Sequence, residues 1–69
     1  MNLIHLGSTI RENRQSKNKS QEQLSFESDV AIKSIHSIEL GKANPSIKTL
    51  NKLLQTLELD LIIVSKKTI

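Results

Sequence analysis

Aliphatic residues recur at helical spacing along most of this chain, in segments that are separated by polar turns. In chain order these stripes are Leu3, Leu6 and Ile10; Ala31, Ile35 and Ile38; and Ile47, Leu50, Leu53, Leu54 and Leu57, while a short segment that starts at the candidate N-cap Ser20 contributes Leu24. Residues three or four positions apart share one face of a helix, so each stripe predicts a helix with its apolar face inward. The sequence therefore predicts a mainly α-helical protein, with helices over about residues 3–15, 21–28, 31–40 and 46–57.

Capping residues mark the limits of these helices. Ser20 and Ser46 are candidate N-caps, and Gln23 would complete a capping box by bonding back to the Ser20 N–H. Gly41 fits a left-handed helix stop. Short helices that are joined by a turn of a few residues, like the second and third here, form a helix-turn-helix plan.

Size and composition exclude several classes of protein. The 69 residues allow one domain, with no cysteine, one aromatic residue (Phe26) and a formal net charge of +3. We expect neither disulfides nor thiolate metal sites, and two isolated histidines do not form a metal site. No nucleophile–base set or phosphate loop is visible, so we expect neither an enzyme nor a cofactor. With no signal peptide and no apolar run that could span a bilayer, the expected location is cytoplasmic.

The C-terminal segment has a different pattern. Leu59, Leu61 and Ile63 alternate along a largely branched stretch, which favours a strand of about seven residues. No other segment predicts a strand, so its backbone needs water or another molecule as partner. Antiparallel pairing with the same strand of a second copy would satisfy it. We thus expect residues 1–57 to form the domain and 58–69 a dimerisation strand and tail. The alternative is that residues 58–65 extend the fourth helix.

Matches at fixed spacing to one known family run from the first helix to the fourth without a gap. They comprise Ile10-Arg11, Arg14, Ser20-Gln21-Glu22-Gln23-Leu24, Val30, Ile35, Ile38-Glu39, Gly41-Lys42, Asn44-Pro45-Ser46 and Thr49-Leu50. In these residues the chain resembles, over about positions 6–57, the helix-turn-helix domain of the Cro/phage-repressor (XRE) family. The resemblance implies a lambda-repressor-like fold of four to five helices that binds double-stranded DNA, with the third helix in the major groove.

The resemblance also implies DNA contacts for individual residues. Base reading is expected from Ile32, Lys33 and Ser37 on the outward face of the third helix, with Lys33 directed toward guanine and Ile32 toward a thymine methyl group. Phosphate contacts are expected from Gln21, Ser34, Lys42 and Asn44. Without this motif, Lys33 would be an ordinary solvated charge and Gln21 only a capping-turn residue. His36 is expected to be a surface residue or to lie near a phosphate.

A structural ion pair between Arg14 and Glu39 is a further implication of the resemblance. It would join the first helix to the end of the third and fix the angle of the recognition helix. The alternative is two independent surface charges. The chain also departs from the family pattern: Asp29 replaces a common Gly in a left-handed turn, and Phe26 occupies a usually polar position. An exposed Phe26 could contact a protein partner or be a lone surface residue without a role.

The predicted strand directly follows the segment Leu53-Leu54-Gln55-Thr56-Leu57-Glu58-Leu59-Asp60-Leu61. In this ending the chain resembles HipB-type antitoxins, in which the C-terminal strands of two protomers pair. This resemblance implies an antitoxin of a HipBA-like toxin–antitoxin operon, which represses its own promoter as a homodimer on an inverted repeat. A HipA-like serine/threonine kinase toxin would then be a partner. One alternative is an antitoxin that acts mainly by binding the kinase. Another is a stand-alone regulator of a phage or a restriction–modification system.

Overall fold

Four α-helices make up the fold. The computed structural model describes residues 2–66, with α1 at Leu3–Ser16, α2 at Gln21–Ser28, α3 at Ile32–Glu39 and α4 at Ile47–Thr56. These bounds confirm the four predicted helices to within about one residue at each end. No helix within residues 2–66 combines the length and apolar character that crossing a bilayer requires.

Side-chain oxygens cap three of the helices at their N-termini. Asn2 accepts hydrogen bonds from the backbone N–H groups at positions 4 and 5, Ser20 from that of Gln23, and Ser46 from that of Thr49. Each bond satisfies a donor that the first helical turn leaves free. The predicted capping box of α2 is only half formed, because the Gln23 side chain donates to Glu27 at 3.1 Å instead of turning back to Ser20.

Three helices end in the same Schellman motif, which needs one residue of positive φ. That residue is Asn18 after α1, Gly41 after α3 and Glu58 after α4. After α4, the N–H of Glu58 donates to Gln55 at 3.1 Å and that of Leu59 donates to Leu54 at 2.7 Å. This pair of bonds defines the motif and ends the helix. The alternative that residues 58–65 extend the fourth helix is therefore wrong.

The core lies where α1 packs on α3 and where α2 packs on α3 and α4. Its buried members are aliphatic: Ile10, Leu24, Val30, Ile35, Ile38, Leu50, Leu53, Leu54 and Leu57. Two predicted core positions are wrong. Ala31 is the exposed N-cap of α3, and Ile47, at the first position of α4, is 67% exposed. Val30 replaces Ala31 in the core, because the turn between α2 and α3 folds it inward before the helix begins.

Gly7 sits where α1 approaches α3 most closely. A Cβ atom at this position would lie 2.2 Å from the carbonyl oxygen of Ile38 and 2.9 Å from that of Glu39. Both obstacles are backbone atoms and cannot rotate away. Only glycine therefore lets α1 lie this close to the C-terminal turn of α3.

The tail after α4 is neither helix nor strand. Residues 60–66 carry no regular secondary structure, and the strand predicted from Leu59, Leu61 and Ile63 is not formed within the described chain. A strand needs a second strand for its hydrogen bonds, and residues 2–66 offer none. Leu59 packs against the core, whereas Leu61 is 44% and Ile63 is 91% exposed. Residues 67–69 of the predicted tail lie outside the described residues.

Candidate nucleic-acid interface

Helix α3 presents an exposed polar face that is flanked by two hollows. Ile32, Lys33, Ser34 and His36 are exposed on this face and Ser37 is half-buried. The first hollow, toward α2, is lined by Gln21, Ile32, Lys33, His36 and Ser37. The second, toward α4, is lined by Lys33, Ser34, Ser37, Ile38, Ala43, Asn44, Pro45 and Thr49. Because Lys33 and Ser37 line both hollows, they form the ridge of the face.

Six of the seven residues to which sequence reasoning gave DNA contacts line these hollows. They are Gln21, Ile32, Lys33, Ser34, Ser37 and Asn44. Lys42 lines neither hollow; it is exposed in the turn that follows α3. Its backbone N–H is held by Ser37 O at 2.9 Å in the Schellman motif, so the start of the turn is fixed to the helix. The structure thus brings together polar groups from α2, α3 and the turn on one continuous surface.

Arg14 and Glu39 form a two-point ion pair beneath this surface. The Nε of Arg14 donates to Glu39 Oε2 at 2.7 Å, and its Nη2 donates to Oε1 at 2.9 Å. Both residues are buried. The remaining guanidinium nitrogen, Nη1, donates to the carbonyl oxygen of Lys19 at 2.8 Å, so the same side chain also holds the loop before α2. A planar fork on a carboxylate fixes orientation as well as distance, and here it sets α3 against α1.

Gln21 joins this network. Its Nε2 donates to Glu39 Oε1 at 3.0 Å, so the carboxylate accepts from α1 and α2 together. Sequence reasoning placed Gln21 against a phosphate, and the structure places its side chain between the buried ion pair and the first hollow. One amide hydrogen of Gln21 remains for a ligand.

The ion pair shifts the pKa values of both partners. Burial raises the pKa of Glu39, but the hydrogen bonds from Arg14 and Gln21, with the charges of Arg14 and Arg11, outweigh burial and leave the pKa below its usual value. The hydrogen bond to Glu39 raises the pKa of Arg14, against an opposing effect of burial. Both groups are therefore charged over the whole physiological range.

One residue of the surface, Thr49, was missed by sequence reasoning as a contact candidate, and His36 was expected at the surface or near a phosphate without an assigned contact. Thr49 lines the second hollow beside Asn44, and His36 lines the first beside Lys33. His36 follows Lys33 by three positions, and its exposed place on the outward face was predicted from the sequence. The place of Thr49 could not be predicted, because it depends on how the turn folds against α3.

Phe26 lies on α2 and is 89% exposed. It lines neither hollow of the α3 face.

Among residues 2–66 there is also no group of three His, Asp or Glu side chains that could hold a metal ion.

Comparison with known proteins agrees with this geometry. The family model described as helix-turn-helix matches residues 10–64, which include all four helices apart from the first turns of α1. The chain belongs to the helix-turn-helix family. As a member of the XRE type of this family, it is a DNA-binding regulator, and α2 and α3 are its helix-turn-helix pair.

One solved structure of the family is similar along most of its length. It is the restriction-modification controller protein C.AhdI from Aeromonas hydrophila, which is 33% identical, with a TM-score of 0.80. The match covers 84% of this chain and 88% of that chain. No curated protein sequence matches this helix-turn-helix chain at a significant level.

Proposed function

We propose that this helix-turn-helix protein is a sequence-specific transcription repressor that binds an inverted-repeat operator as a homodimer. The observation that carries the proposal is the ridge of exposed Lys33 and half-buried Ser37, with a hollow on either side. The buried Arg14–Glu39 pair holds this ridge at a fixed angle to the rest of the domain. A rigid helix with donors on its outward face is what reading of the major groove requires.

Within this proposal, the residues divide into base readers and phosphate contacts. Lys33 and Ser37 read base edges from the ridge, and Ile32, which is 40% exposed, contacts a thymine methyl group. Gln21, Ser34, Lys42 and Asn44 bind phosphates on the two sides of α3 and fix its register. The net charge of +3 supports a polyanionic partner.

The tail supports the homodimer. Four consecutive apolar residues, Leu61 to Val64, are between 44% and 91% exposed in one chain. A contiguous apolar surface of this kind is characteristic of a contact site. We propose that Leu59, Leu61 and Ile63 belong to a strand that forms only when it pairs with the same strand of a second copy. Two recognition helices related by the twofold axis would then face successive major grooves about 34 Å apart.

We favour a restriction–modification system as the system that this protein regulates. The protein would then be a stand-alone regulator. This choice is supported by the similarity to C.AhdI, a restriction-modification controller protein. A HipB-like antitoxin is the second candidate, and the observation in its favour is the apolar tail after α4, which is exposed from Leu61 to Val64. In that case a HipA-like kinase would be the partner, with exposed Phe26 as one contact.

The proposal is tested by light scattering of the purified protein with and without duplexes. A dimer at micromolar concentration and a complex of one dimer with one inverted repeat are expected. A single half-site should bind far more weakly than the repeat, because only one recognition helix is engaged. A monomer that binds single half-sites and full repeats equally well would contradict the proposal. A pull-down of the neighbouring gene products would then distinguish the two regulated systems.

A further inference from the structure

A third polar pocket lies beside the α3 face, between α1, α2 and α3. It has a volume of about 170 Å³ and is lined by Arg11, Arg14, Gln21, His36, Glu39 and Leu40. Gln21 and His36 also line the first hollow of the α3 face, so the pocket and the hollow are adjacent. A backbone phosphate that follows the one held by Gln21 would therefore lie within reach of it.

The charges in this pocket leave one cation uncompensated. Glu39 is neutralised by the two-point contact with Arg14 and also accepts from Gln21. Arg11 is exposed and forms no ion pair within residues 2–66. The arginine and glutamate side chains of the lining therefore carry a net charge of about +1.

We propose that Arg11 and His36 together bind a phosphate group of the DNA backbone, next to the phosphate assigned to Gln21. The guanidinium of Arg11 offers a planar fork that matches two phosphate oxygens, and a ring N–H of His36 offers a third donor. This inference rests on the proposed DNA-binding function and adds a contact from α1. With this contact, the domain would bind DNA phosphates on the α1 side of the recognition helix as well as on the side of the turn.

The test compares variants that keep or remove each donor, with binding to operator and to random duplex DNA measured by fluorescence anisotropy over a range of salt. Arg11→Met is expected to weaken both kinds of DNA alike, by about tenfold, since a hydrogen bond to a charged group is lost. The salt slope should fall by about one unit for each bound protomer. Arg11→Lys should recover part of the loss, because it keeps the charge without the fork.

His36 is tested with a matched pair. His36→Leu should weaken binding, whereas His36→Gln, which keeps N–H donors, should lose less. Because both side chains bind one phosphate, Arg11→Met and His36→Leu should be non-additive when combined. The control is Lys66→Met, which removes one exposed positive charge from the tail. Circular dichroism and thermal melting check that each variant folds.

The outcomes separate this inference from the function on which it rests. If the wild-type protein binds no duplex DNA, the proposed function fails. If it binds the operator but Arg11→Met has no larger effect than Lys66→Met, the phosphate pocket is wrong and the function stands. An NMR titration with inorganic phosphate tests the other source of the same ligand. Shifts at the Arg11 side chain with unchanged DNA binding of Arg11→Met would assign the pocket to a free phosphate and overturn the DNA contact.

Discussion

Arg14 holds Glu39 through two parallel hydrogen bonds of 2.7 and 2.9 Å, and by this contact α1 fixes the last turn of the recognition helix. Both side chains are almost completely buried. The pair therefore contributes orientation more reliably than stability, because desolvation offsets much of the attraction. Loss of the pair should therefore lower both the stability of the fold and the affinity for DNA.

Glu39→Gln should destabilise the fold, because it leaves the buried Arg14 guanidinium without a counter-charge. Removal of one partner of a buried pair costs about 3–5 kcal/mol, and the remaining amide should keep the loss near the lower end. Urea denaturation measures the change. The control is the double variant Arg14→Met/Glu39→Leu. Its loss of unfolding free energy should be smaller than the sum of the losses in the single variants Arg14→Met and Glu39→Leu. Additive losses would show that the two side chains do not act as a pair.

The stability of the protein should fall as the pH is lowered below about 5. Burial raises the pKa of Glu39, but Arg14 and Gln21 bring it below its unfolded value, so its stabilising effect is complete above that value and disappears as the pH falls through the folded one. Hydrogen bonds from Lys19 and Gln23 lower the pKa of Glu27 in the same direction.

Denaturation curves between pH 7 and pH 3 test this dependence. The acid-induced loss should be shallower in Glu39→Gln, with the remainder due to Glu27 and other carboxylates. If stability falls equally steeply at acid pH in both proteins, the pKa of Glu39 is not lowered in the folded state.

Gly7→Ala should destabilise the protein, although alanine is the better helix former by about 1 kcal/mol. Its Cβ would lie 2.2 Å from the carbonyl oxygen of Ile38, so α1 and α3 must separate. Overpacking of this kind costs about 1–3 kcal/mol. Calorimetry should show a lower Tm, with weaker operator binding because α3 moves. Glu12→Ala, at an exposed position of the same helix, should change stability by less than about 0.5 kcal/mol.

Lys33→Ala and Lys42→Ala should affect DNA binding in different ways. Lys33 stands on the ridge of the α3 face, so its loss should relax base preference at one symmetric pair of operator positions, at about 1–3 kcal/mol per contact. Lys42 lies in the turn, so its loss should weaken all sequences alike and reduce the salt slope by about one unit. Band-shift assays with operator variants and over a range of salt concentrations distinguish these two effects. The reverse pattern would exchange the two roles.

The helices were predictable because local signals agree with the tertiary contacts. Aliphatic spacing located three of them, the N-cap Ser20 located α2, and the N-cap Ser46 set the start of α4. The left-handed conformation of Asp29, with φ of 59°, also follows from its place in the family pattern. Helical spacing fails at helix starts: Ala31 and Ile47 fit the stripe, yet the first turn points them to solvent.

Features that depend on two elements at once could not be predicted. Gly7 is an unremarkable residue in the sequence, and its role exists only because α3 crosses it. Glu58 ends α4 with a φ of 59° although neither glycine nor asparagine is present there. The pocket that joins Arg11 to His36 is likewise a product of packing between α1 and α3. The tail pattern favoured a strand over an extension of α4, but neither is formed within residues 2–66, and a strand would need a partner that one chain does not offer.

Ile63→Asp should convert the proposed dimer to a monomer without unfolding the domain. Ile63 is 91% exposed in the single chain, so a charge there costs the isolated fold little, whereas in a paired strand it would be buried against the second copy. Light scattering should show the monomer, the melting temperature should lose its dependence on protein concentration, and operator affinity should fall toward that of a half-site. Phe26→Ser is the matched control, because Phe26 is equally exposed but lies on α2, away from the tail. It should leave the dimer and DNA binding unchanged. A dimer that persists in Ile63→Asp would locate the contact between copies elsewhere on the domain.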